Sequence, residues 1–168
     1  ISLGLVGSEM CIRDSYNRET IESQIDNEIT LSEARKSEMA VLFIDVDDFK
    51  HYNDQYSHAT GDQVLKFVAR TIKGTVNEFG FAGRYGGDEF IACIRNAEIN
   101  DPTRAAQDII SKLEEGFECD GVHLTVSVSI GISMIKDDYN TRVEYIIGKA
   151  DDAMYSVKKN GKSNYAFI

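Results

Sequence analysis

The sequence predicts an α+β fold in which helices cover a largely antiparallel sheet. A nearly continuous apolar and β-branched segment, Met39–Val46, has the length of a buried strand. Two further apolar segments flank the pair Gly86 and Gly87, as in a β-hairpin, and segments with helical periodicity separate the strands. At 168 residues the chain has the length of one domain with a sizeable core.

The first part of the chain is predicted to contain a helix, a strand and two more helices. Residues 16–36 are mostly polar but carry isoleucines four apart, which predicts an amphipathic helix with one narrow apolar stripe, Ile21, Ile25 and Ile29. After the strand at 39–46, residues 47–56 form a short helix candidate. Residues 60–63 have the form of a capping box that begins at Thr60, and the next apolar residues recur at i+4 intervals. They predict a helix with its inward face at Val64, Val68, Ile72 and Val76.

A hairpin and a helix come next. Residues 79–85 and 89–94 are the predicted strands of the hairpin, whose tight turn requires the positive φ angles that Gly86 and Gly87 can adopt. Asp101 and Pro102 are residue types preferred at the N-cap and at the first position of a helix. That helix is predicted to end at Gly116.

The last part of the chain is predicted to contain two strands and one helix. Residues 122–134 alternate apolar and polar side chains, which predicts a single strand buried on one face. Residues 141–144 form a second capping box, which begins at Thr141 and opens a helix that ends near Gly161. Residues 165–168 suit a short final strand, which brings the predicted strands to five.

Charge and composition exclude several classes of function. The chain has 28 acidic and 18 basic residues, and its net charge of -10 argues against nonspecific binding to nucleic acid or direct contact with an anionic membrane. No apolar run approaches the length of a bilayer span. Cys11, Cys93 and Cys119 lack the spacing of a disulfide scaffold or zinc site, so a cytoplasmic location is expected. Phosphate groups would have to be bound locally, with a metal ion.

Residues 1–15 are left out of the fold prediction. This segment resembles a leader that recurs in translated metagenomic sequences through sequencing-adapter carry-over, and the chain has no initiator methionine. It has neither the basic start nor the apolar length of a signal peptide. We therefore expect a fragment whose native domain covers residues 16–168.

A first group of acidic residues follows the predicted buried strand. Asp45, Asp47 and Asp48 lie at its carboxyl end and at the start of a helix, where carboxylates can bind Mg²⁺ and free N–H groups can bind phosphate. The alternative is that Asp47 or Asp48 only caps the helix. Asp45 is harder to explain in this way, because an acid within an apolar strand is costly unless it is paired or bound to metal.

A second group, Asp88 and Glu89, lies at the predicted hairpin. Taken alone, the sequence Gly-Gly-Asp-Glu is usually no more than a solvated turn. Next to the acids of the first strand, it can complete a cluster suited to Mg²⁺ and phosphoryl chemistry.

Four motifs then occur in order: FIDVDDFKHYNDQYSHATGD, RYGGDEF, SIGIS and ADDAMYSVKKNGKSN. With these motifs the chain resembles the GGDEF domain of diguanylate cyclases, from about residue 16 to its end. The resemblance implies a nucleotidyl-cyclase palm with a ferredoxin-like core, in which helices flank a mostly antiparallel five-stranded sheet. It also implies that two GTP molecules are joined into cyclic di-GMP, with release of two pyrophosphates.

The resemblance also implies metal-binding and catalytic roles. Asp45, Asp88 and the carbonyl of Val46 match the family's ligands for Mg²⁺, or Mn²⁺. Asp88 also matches the proposed base for the 3′-hydroxyl, and Glu89 a carboxylate near the second metal. Lys50 matches a residue that stabilises charge at the reacting phosphates, and the alternative is a solvated helix lysine.

Substrate contacts are implied in the same way. Asn53 and Asp62 match the residues that read guanine, since an amide and a carboxylate can pair with its O6, N1–H and N2–H. The other matches to substrate-contacting positions are Asp48, Phe49, His58, Lys158 and Lys162. Without the resemblance, His58 would be structural, and the two lysines would be a helix C-terminal charge and a loop residue.

The chain departs from the family pattern in two places. The family's product-inhibition site has an Arg and an Asp where this sequence has Asn77 and Gly80, so that allosteric site is expected to be absent. The run Asp-x-Leu-Thr-x-Leu expected before Asn17 is replaced by the leader. The native start of the first helix and an upstream sensor domain are therefore expected to be missing.

Three functional hypotheses follow. The leading one is a Mg²⁺-dependent diguanylate cyclase that acts as a homodimer, because each domain presents one GTP. The second is a domain that binds GTP or cyclic di-GMP and signals by contact without turnover. The third is a purine cyclase with altered base choice, which Asn53 and Asp62 disfavour.

Overall fold

The computed structural model describes residues 18–168, and the predictions for the leader lie outside these residues. The helices in this part of the chain are α1 (Arg18–Arg35), α2 (Phe49–Gln55), α3 (His58–Val76), α4 (Pro102–Glu115) and α5 (Val143–Lys159). The strands are β1 (Met39–Val46), β2 (Gly80–Arg84), β3 (Glu89–Arg95), β4 (Phe117–Cys119), β5 (Val122–Leu124), β6 (Val128–Ile135) and β7 (Asn164–Phe167).

Five strands form one sheet in the order β2-β3-β1-β6-β7. The central strand β1 pairs antiparallel with β3 and β6, and β2 pairs antiparallel with β3. The edge strand β7 runs parallel to β6. The predicted five-stranded, mostly antiparallel sheet with flanking helices is confirmed. The short strands β4 and β5, which form a separate antiparallel pair, were not predicted as such.

Helices cover both faces of the five-stranded sheet. On one face α3 and α4 pack against Ala40, Leu42 and Ile44 of β1, and on the other face α1 and α5 pack against Val41 and Phe43. Because successive side chains of a strand point to opposite faces, a strand covered on both sides is apolar throughout, as β1 is. The predicted isoleucine stripe of α1 is buried on the second face. No helix within residues 18–168 is long and apolar enough to cross a membrane.

The prediction of one half-buried strand over residues 122–134 is wrong in two respects. The chain leaves strand geometry at residues 125–127, so that β5 pairs with β4 whereas β6 joins the main sheet. Strand β6 is also buried on both faces, and Ser129, Gly131 and Ser133 lie on its α5 side. A Cβ atom at Gly131 would lie 1.8 Å from the carbonyl oxygen of Ala150. The small residues of β6 therefore allow close approach of α5, and they do not mark a solvent face.

Of the three helix starts that are predicted from a capping pattern, one agrees with the structure. Asp101 caps α4, as predicted, by accepting a hydrogen bond from the backbone N–H of Thr103 at 2.9 Å. At α3 the N-cap is Ser57, whose hydroxyl oxygen accepts the backbone N–H of Thr60 at 3.1 Å, so Thr60 is not the cap. Helix α5 follows Arg142 without a side-chain cap, and the second predicted capping box does not form.

The hairpin turn is also wider than predicted. Residues 85–88 connect β2 to β3, and neither Gly86 nor Gly87 has a positive φ angle. The backbone N–H groups of Tyr85 and Gly86 both donate to the carbonyl oxygen of Glu89, at 2.8 and 3.2 Å. A four-residue connection reverses the chain without the left-handed residues that a two-residue turn requires.

Candidate active site

Asp45 lies one residue before the end of β1, opposite Glu89 of β3. Its side chain is 17% exposed, and Oδ2 lies 3.1 Å from the Nζ of Lys158 on α5. The other oxygen, Oδ1, is buried and has no hydrogen-bond partner among the described residues. Buried carboxylate oxygens are normally hydrogen-bonded, because otherwise nothing compensates the loss of water. The predicted metal-binding acid is therefore an unsatisfied one.

Burial also shifts the pKa values of the acids at this end of the sheet. Burial raises the pKa of Asp45 to about 6 although Lys158 acts in the opposite direction, and the nearby Asp88 and Glu89 raise it further. Burial also raises the pKa of Glu89, to which Asp151 and Asp88 add. Carboxylates that converge with too little positive charge are the chemical setting that a divalent cation fits, and oxygen is its preferred ligand.

The hairpin brings Asp88 to the end of β1. The backbone N–H of Val46 donates to the carbonyl oxygen of Asp88 at 3.1 Å, so the loop of the hairpin is joined directly to the strand that carries Asp45. The predicted ligands Asp45, Asp88 and the Val46 carbonyl thus come from two adjacent backbone segments, and their oxygen donors fit Mg²⁺ in chemical type. Residues 18–168 contain no ready-made group of three or more His, Cys, Asp or Glu side chains that could hold a metal ion.

Asp47 lies just beyond β1 and is satisfied on both oxygens. It accepts hydrogen bonds from the hydroxyl groups of Ser127 and Ser129, from the backbone N–H of Ser163 and from the ammonium of Lys158. Burial alone would raise the pKa of Asp47, but these donors outweigh burial and lower it. Asp47 therefore joins β1 to β6 and to the segment before β7, and it does not cap α2.

The two predicted phosphate-binding lysines lie beside the first group of acids. Lys158 Nζ is 3.1 Å from both Asp45 Oδ2 and Asp47 Oδ1, and these acids raise its pKa although burial acts to lower it. Lys162 Nζ is 2.9 Å from the carboxylate of Asp48. Asp48 occupies the N-cap position of α2 with a φ of 52°, but its side chain makes no capping hydrogen bond. The capping hypothesis is therefore wrong for both acids.

A cavity of about 350 Å³ opens between the hairpin, α2 and α3. Six predicted site residues line it, together with Leu65, Arg84 and Gly87. The six are Phe49, Lys50, Asn53, His58, Asp62 and Asp88. The position of Asn53 depends on Gly61, because a Cβ atom there would lie 1.9 Å from Asn53 Oδ1. The cavity thus brings Asn53, Asp62 and Asp88 together, whereas Lys158 and Lys162 lie outside its lining.

Arg84, at the end of β2, was not among the predicted site residues. Its Nε donates to the carbonyl oxygens of Gly86 and Gly87, at 2.9 and 3.0 Å, and its Nη2 donates to Gly87 at 2.6 Å. Burial lowers the pKa of Arg84, and the nearby Asp62 and Asp88 oppose this effect. An arginine two residues before a pair of glycines was the available signal, since glycines restrict the backbone least and a glycine-rich loop needs hydrogen bonds from outside it to stay ordered.

The two positions at which the inhibitory site is expected to be absent, Asn77 and Gly80, lie at the other end of α3. Asn77 ends that helix and Gly80 begins β2, and both border a second cavity of about 250 Å³. A Cβ atom at Gly80 would lie 1.9 Å from the carbonyl oxygen of Cys93. A side chain at position 80 would therefore require the paired strands β2 and β3 to move.

Comparison with known proteins agrees with this geometry. A family model described as "Diguanylate cyclase, GGDEF domain" matches residues 14–164. The chain is 38% identical over 136 residues to Diguanylate cyclase A of Treponema denticola. The matched residues make up 80% of this chain and 36% of that protein. It is 34% identical over 152 residues to the bifunctional diguanylate cyclase/cyclic di-GMP phosphodiesterase MucR of Pseudomonas aeruginosa, over 90% of this chain and 22% of that protein. The chain therefore spans well under half the length of these relatives.

Solved structures resemble the fold closely. The GGDEF domain of YfiN, also called TpbB, from Pseudomonas aeruginosa gives a TM-score of 0.84 at 32% identity, over 91% of this chain and 96% of that one. The active GGEEF domain of a diguanylate cyclase from Vibrio cholerae gives 0.80 at 26% identity, over 90% and 96%. The fold is thus a nucleotidyl-cyclase palm with its acids at one end of the central strand. The chain belongs to the GGDEF domain family of diguanylate cyclases.

Proposed function

We propose that this chain is the catalytic domain of a diguanylate cyclase, which joins two GTP molecules into cyclic di-GMP and releases two pyrophosphates. One observation carries the proposal: the buried, unsatisfied Oδ1 of Asp45 lies at the same end of the sheet as Asp88, which lines a cavity with Asn53 and Asp62. That cavity is in the size range of small-molecule sites. Its acids and its amide suit a nucleotide that is bound with a cation.

Asp45, Asp88 and the carbonyl of Val46 would hold Mg²⁺ or Mn²⁺. When bound, such a cation neutralises triphosphate charge and lowers the pKa of a hydroxyl group that it contacts. Glu89, beside Asp88, would add carboxylate charge at the second metal position. This arrangement would also explain how a chain with a net charge of -10 accepts an anionic substrate.

The reaction proposed here transfers a nucleotidyl group. The 3′-oxygen of one GTP attacks the α-phosphorus of the other, the bond to the pyrophosphate leaving group breaks, and the hydroxyl proton passes to the carboxylate of Asp88. Lys50, on the cavity wall, would stabilise the charge that develops on the phosphates. Lys158 and Lys162 would bind phosphate oxygens from the other side of the strand end.

Base recognition is proposed for the cavity between α2 and α3. Asn53 and Asp62 offer an amide and a carboxylate to guanine, while His58 and Phe49 contribute further wall contacts. Asp48, at the start of α2, is the remaining proposed substrate contact. An adenine would leave polar groups of this cavity unpaired, which is the physical basis for preferring GTP over ATP.

We further propose that two copies act together. Each domain has one such cavity to present one GTP, and the two phosphodiester bonds of the product must form between two nucleotides. The domain would act in the cytoplasm under the control of a sensor domain in the longer protein. The length of the relatives supports this view, since the chain covers 36% and 22% of two of them.

The test is synthesis by the purified chain. The chain is incubated with GTP and Mg²⁺ at several protein concentrations, and cyclic di-GMP is separated by chromatography and identified by mass. We expect product from GTP but not from ATP, a rate per chain that rises with protein concentration, and no product after chelation of the metal. Asp54→Asn, which changes an exposed acid of α2 outside the cavity lining, is the matched control for loss of charge. GTP binding without turnover under all these conditions would identify a nucleotide-binding module instead.

A further inference from the structure

The first turn of α1 contacts the hairpin that carries Asp88 and Glu89. Tyr85, between β2 and Gly86, donates its hydroxyl hydrogen to the carboxylate of Glu22 on α1 at 2.8 Å. The guanidinium of Arg18, also on α1, lies 4.4 Å from the centre of the Tyr85 ring, within the range of a cation–π contact. The helix is thus attached to the residue with which the hairpin loop begins.

Tyr85 is also fixed from two other directions. Its ring meets that of Phe43 edge to face, with centroids 5.5 Å apart, and Phe43 lies two residues before Asp45 on β1. Its backbone N–H donates to the carbonyl oxygen of Glu89 at 2.8 Å. Tyr85 therefore contacts helix α1, the strand β1 that carries Asp45 and the backbone of Glu89.

The loop between β2 and β3 depends on contacts from outside it for a fixed conformation. Two of its four residues are glycines, which restrict the backbone least. Arg84 holds the carbonyl oxygens of Gly86 and Gly87 from the cavity side, and Tyr85 contacts α1 on the opposite side of the sheet. Burial and the contact with Glu22 raise the pKa of Tyr85 to about 12, so its hydroxyl remains a donor at neutral pH.

We propose that Tyr85 is a positioning residue for the reaction, and that Glu22 of α1 holds it so that the hairpin presents Asp88 and Glu89 to Asp45. This inference rests on the proposed diguanylate cyclase function. It assigns no substrate contact to Tyr85 or Glu22, since neither lines the cavity that contains Asn53 and Asp62. A displacement of the first turn of α1 would therefore change the rate of the reaction more than the affinity for GTP.

Helix α1 is well placed to transmit such a displacement because its middle is anchored separately. Glu28, which is buried, lies 2.9 Å from Arg95 of β3 and 3.5 Å from Arg35 near the end of α1. The contact with Tyr85 can thus be lost while Glu28 and the buried isoleucine stripe keep the helix attached to the sheet. This predicts that variants of Glu22 keep their fold.

The experiment compares Tyr85→Phe, Glu22→Ala, Glu22→Gln and the double variant Glu22→Ala/Tyr85→Phe with the unmodified chain. Steady-state kinetics give kcat and KM for GTP, and hydrogen exchange gives the protection of the amides of Tyr85 and Gly86. Glu19→Ala, an exposed acid of the same helical turn, is the matched control. Thermal unfolding of each variant separates loss of position from loss of fold.

We expect Tyr85→Phe and Glu22→Ala each to lower kcat about fivefold with KM for GTP changed less than about twofold, as for loss of one ordinary hydrogen bond. The double variant should be no slower than either single variant, since the two side chains act as a unit. Glu22→Gln, which keeps an acceptor oxygen, should recover most of the rate. Amide exchange at the hairpin should quicken in the impaired variants and stay unchanged in Glu19→Ala.

Two results would overturn the inference: unchanged kcat in Tyr85→Phe, or a lower kcat with unchanged exchange at the hairpin amides. The failure of the proposed function is a separate result. If the unmodified chain makes no cyclic di-GMP, that function is wrong, and the hydrogen-exchange comparison alone decides whether Glu22 holds the hairpin through Tyr85.

Discussion

Asp45 and Asp47 are two residues apart at the end of one strand, yet their surroundings are opposite. Asp47 accepts four hydrogen bonds, from Ser127, Ser129, Ser163 and Lys158. Asp45 shares only the lysine, and its Oδ1 is buried without a partner in the described part of the chain. The pKa of Asp47 is accordingly lowered, whereas that of Asp45 is raised to about 6.

Asp47 stabilises the fold through its hydrogen bonds, whereas Asp45 is kept in an unfavourable position by the rest of the fold. A carboxylate with a full set of donors stabilises the structure that supplies them, whereas an unsatisfied one costs stability and persists when its charge has another use. Position in the sequence does not distinguish the two, because both follow the same apolar strand. The donors come from the start of β6 and the residue before it, from the end of α5 and from the segment before β7, all at least 80 residues away.

The largest effect is expected on activity, from removal of the unsatisfied acid. Asp45→Asn should lower the rate of cyclic di-GMP synthesis about a thousandfold, roughly 4 kcal/mol of activation free energy, because the amide is a poor substitute for a charged metal ligand. Asp88→Ala should have a similar effect. Initial rates at saturating GTP measure this, with circular dichroism as the check on folding. A variant that keeps more than a tenth of the rate would remove the altered acid from the metal site.

The next effect is expected on stability, from the satisfied acid. Asp47→Asn should lower the free energy of unfolding by about 3 kcal/mol, because its NH₂ group cannot accept the hydrogen bonds and Lys158 loses a buried counter-charge. Urea denaturation of the metal-free chain measures this loss. Asp48→Asn, at an acid 68% exposed, is the control and should change the free energy by less than about 0.5 kcal/mol. Equal effects of the two variants would contradict the structural role of Asp47.

Much of this arrangement could be predicted from local sequence, and the part that could not depends on distant contacts. The apolar run of β1, the isoleucine stripe of α1 and the two hairpin strands each follow a local sequence pattern, and each is present in the structure. The small residues of β6 were misassigned because alternation alone cannot tell a solvent face from one covered by a close helix. Ser129 was therefore expected to be exposed, and its bond to Asp47 could not be foreseen.

The candidate site also has a part that the sequence predicts and a part that depends on distant contacts. Motif resemblance brought Asn53, Asp62 and Asp88 together, and the structure places all three on one cavity. The motif resemblance did not predict that Lys158 lies between Asp45 and Asp47, because this contact depends on how α5 packs against β6. The predicted cap Thr60 is wrong because it lies inside α3, and only the backbone geometry identifies Ser57 as the N-cap.

The dependence of stability on pH should distinguish the two acids. The folded pKa of Asp45, about 6, lies above its ordinary value of 3.8, so the folded chain binds this proton more tightly than the unfolded chain. Its ionisation therefore lowers stability as pH rises from about 4 to 6, and the cost persists above that range. In metal-free buffer, Asp45→Asn should be more stable than the unmodified chain by about 2 kcal/mol at pH 7.5 and no more stable at pH 3.5.

The metal supplies the control for that prediction. Mg²⁺ should raise the melting temperature of the unmodified chain at pH 7.5 but not that of Asp45→Asn, because binding to the folded state stabilises it. The contribution of Asp47 has the opposite sign but is common to both chains and cancels in the difference. A variant less stable than the unmodified chain at pH 7.5 without metal would mean that Asp45 is satisfied by its lysine.

The smallest effect is expected from two serines of β6 that differ in one respect. Ser129 and Ser133 are both fully buried on the α5 side of the strand, but Ser129 donates to Asp47 at 2.7 Å whereas Ser133 has no hydrogen-bond partner in the described structure. Ser129→Ala should lower the free energy of unfolding by about 1 kcal/mol, since it removes one donor from a buried carboxylate. Ser133→Ala should be neutral or slightly stabilising, because the unpartnered hydroxyl gains nothing from burial. Urea denaturation of both variants in the Asp47→Asn background completes the comparison: the cost of Ser129→Ala should shrink there and that of Ser133→Ala should not change. Equal costs in the unmodified background would show that packing beneath α5, and not the satisfaction of Asp47, accounts for the serine at position 129.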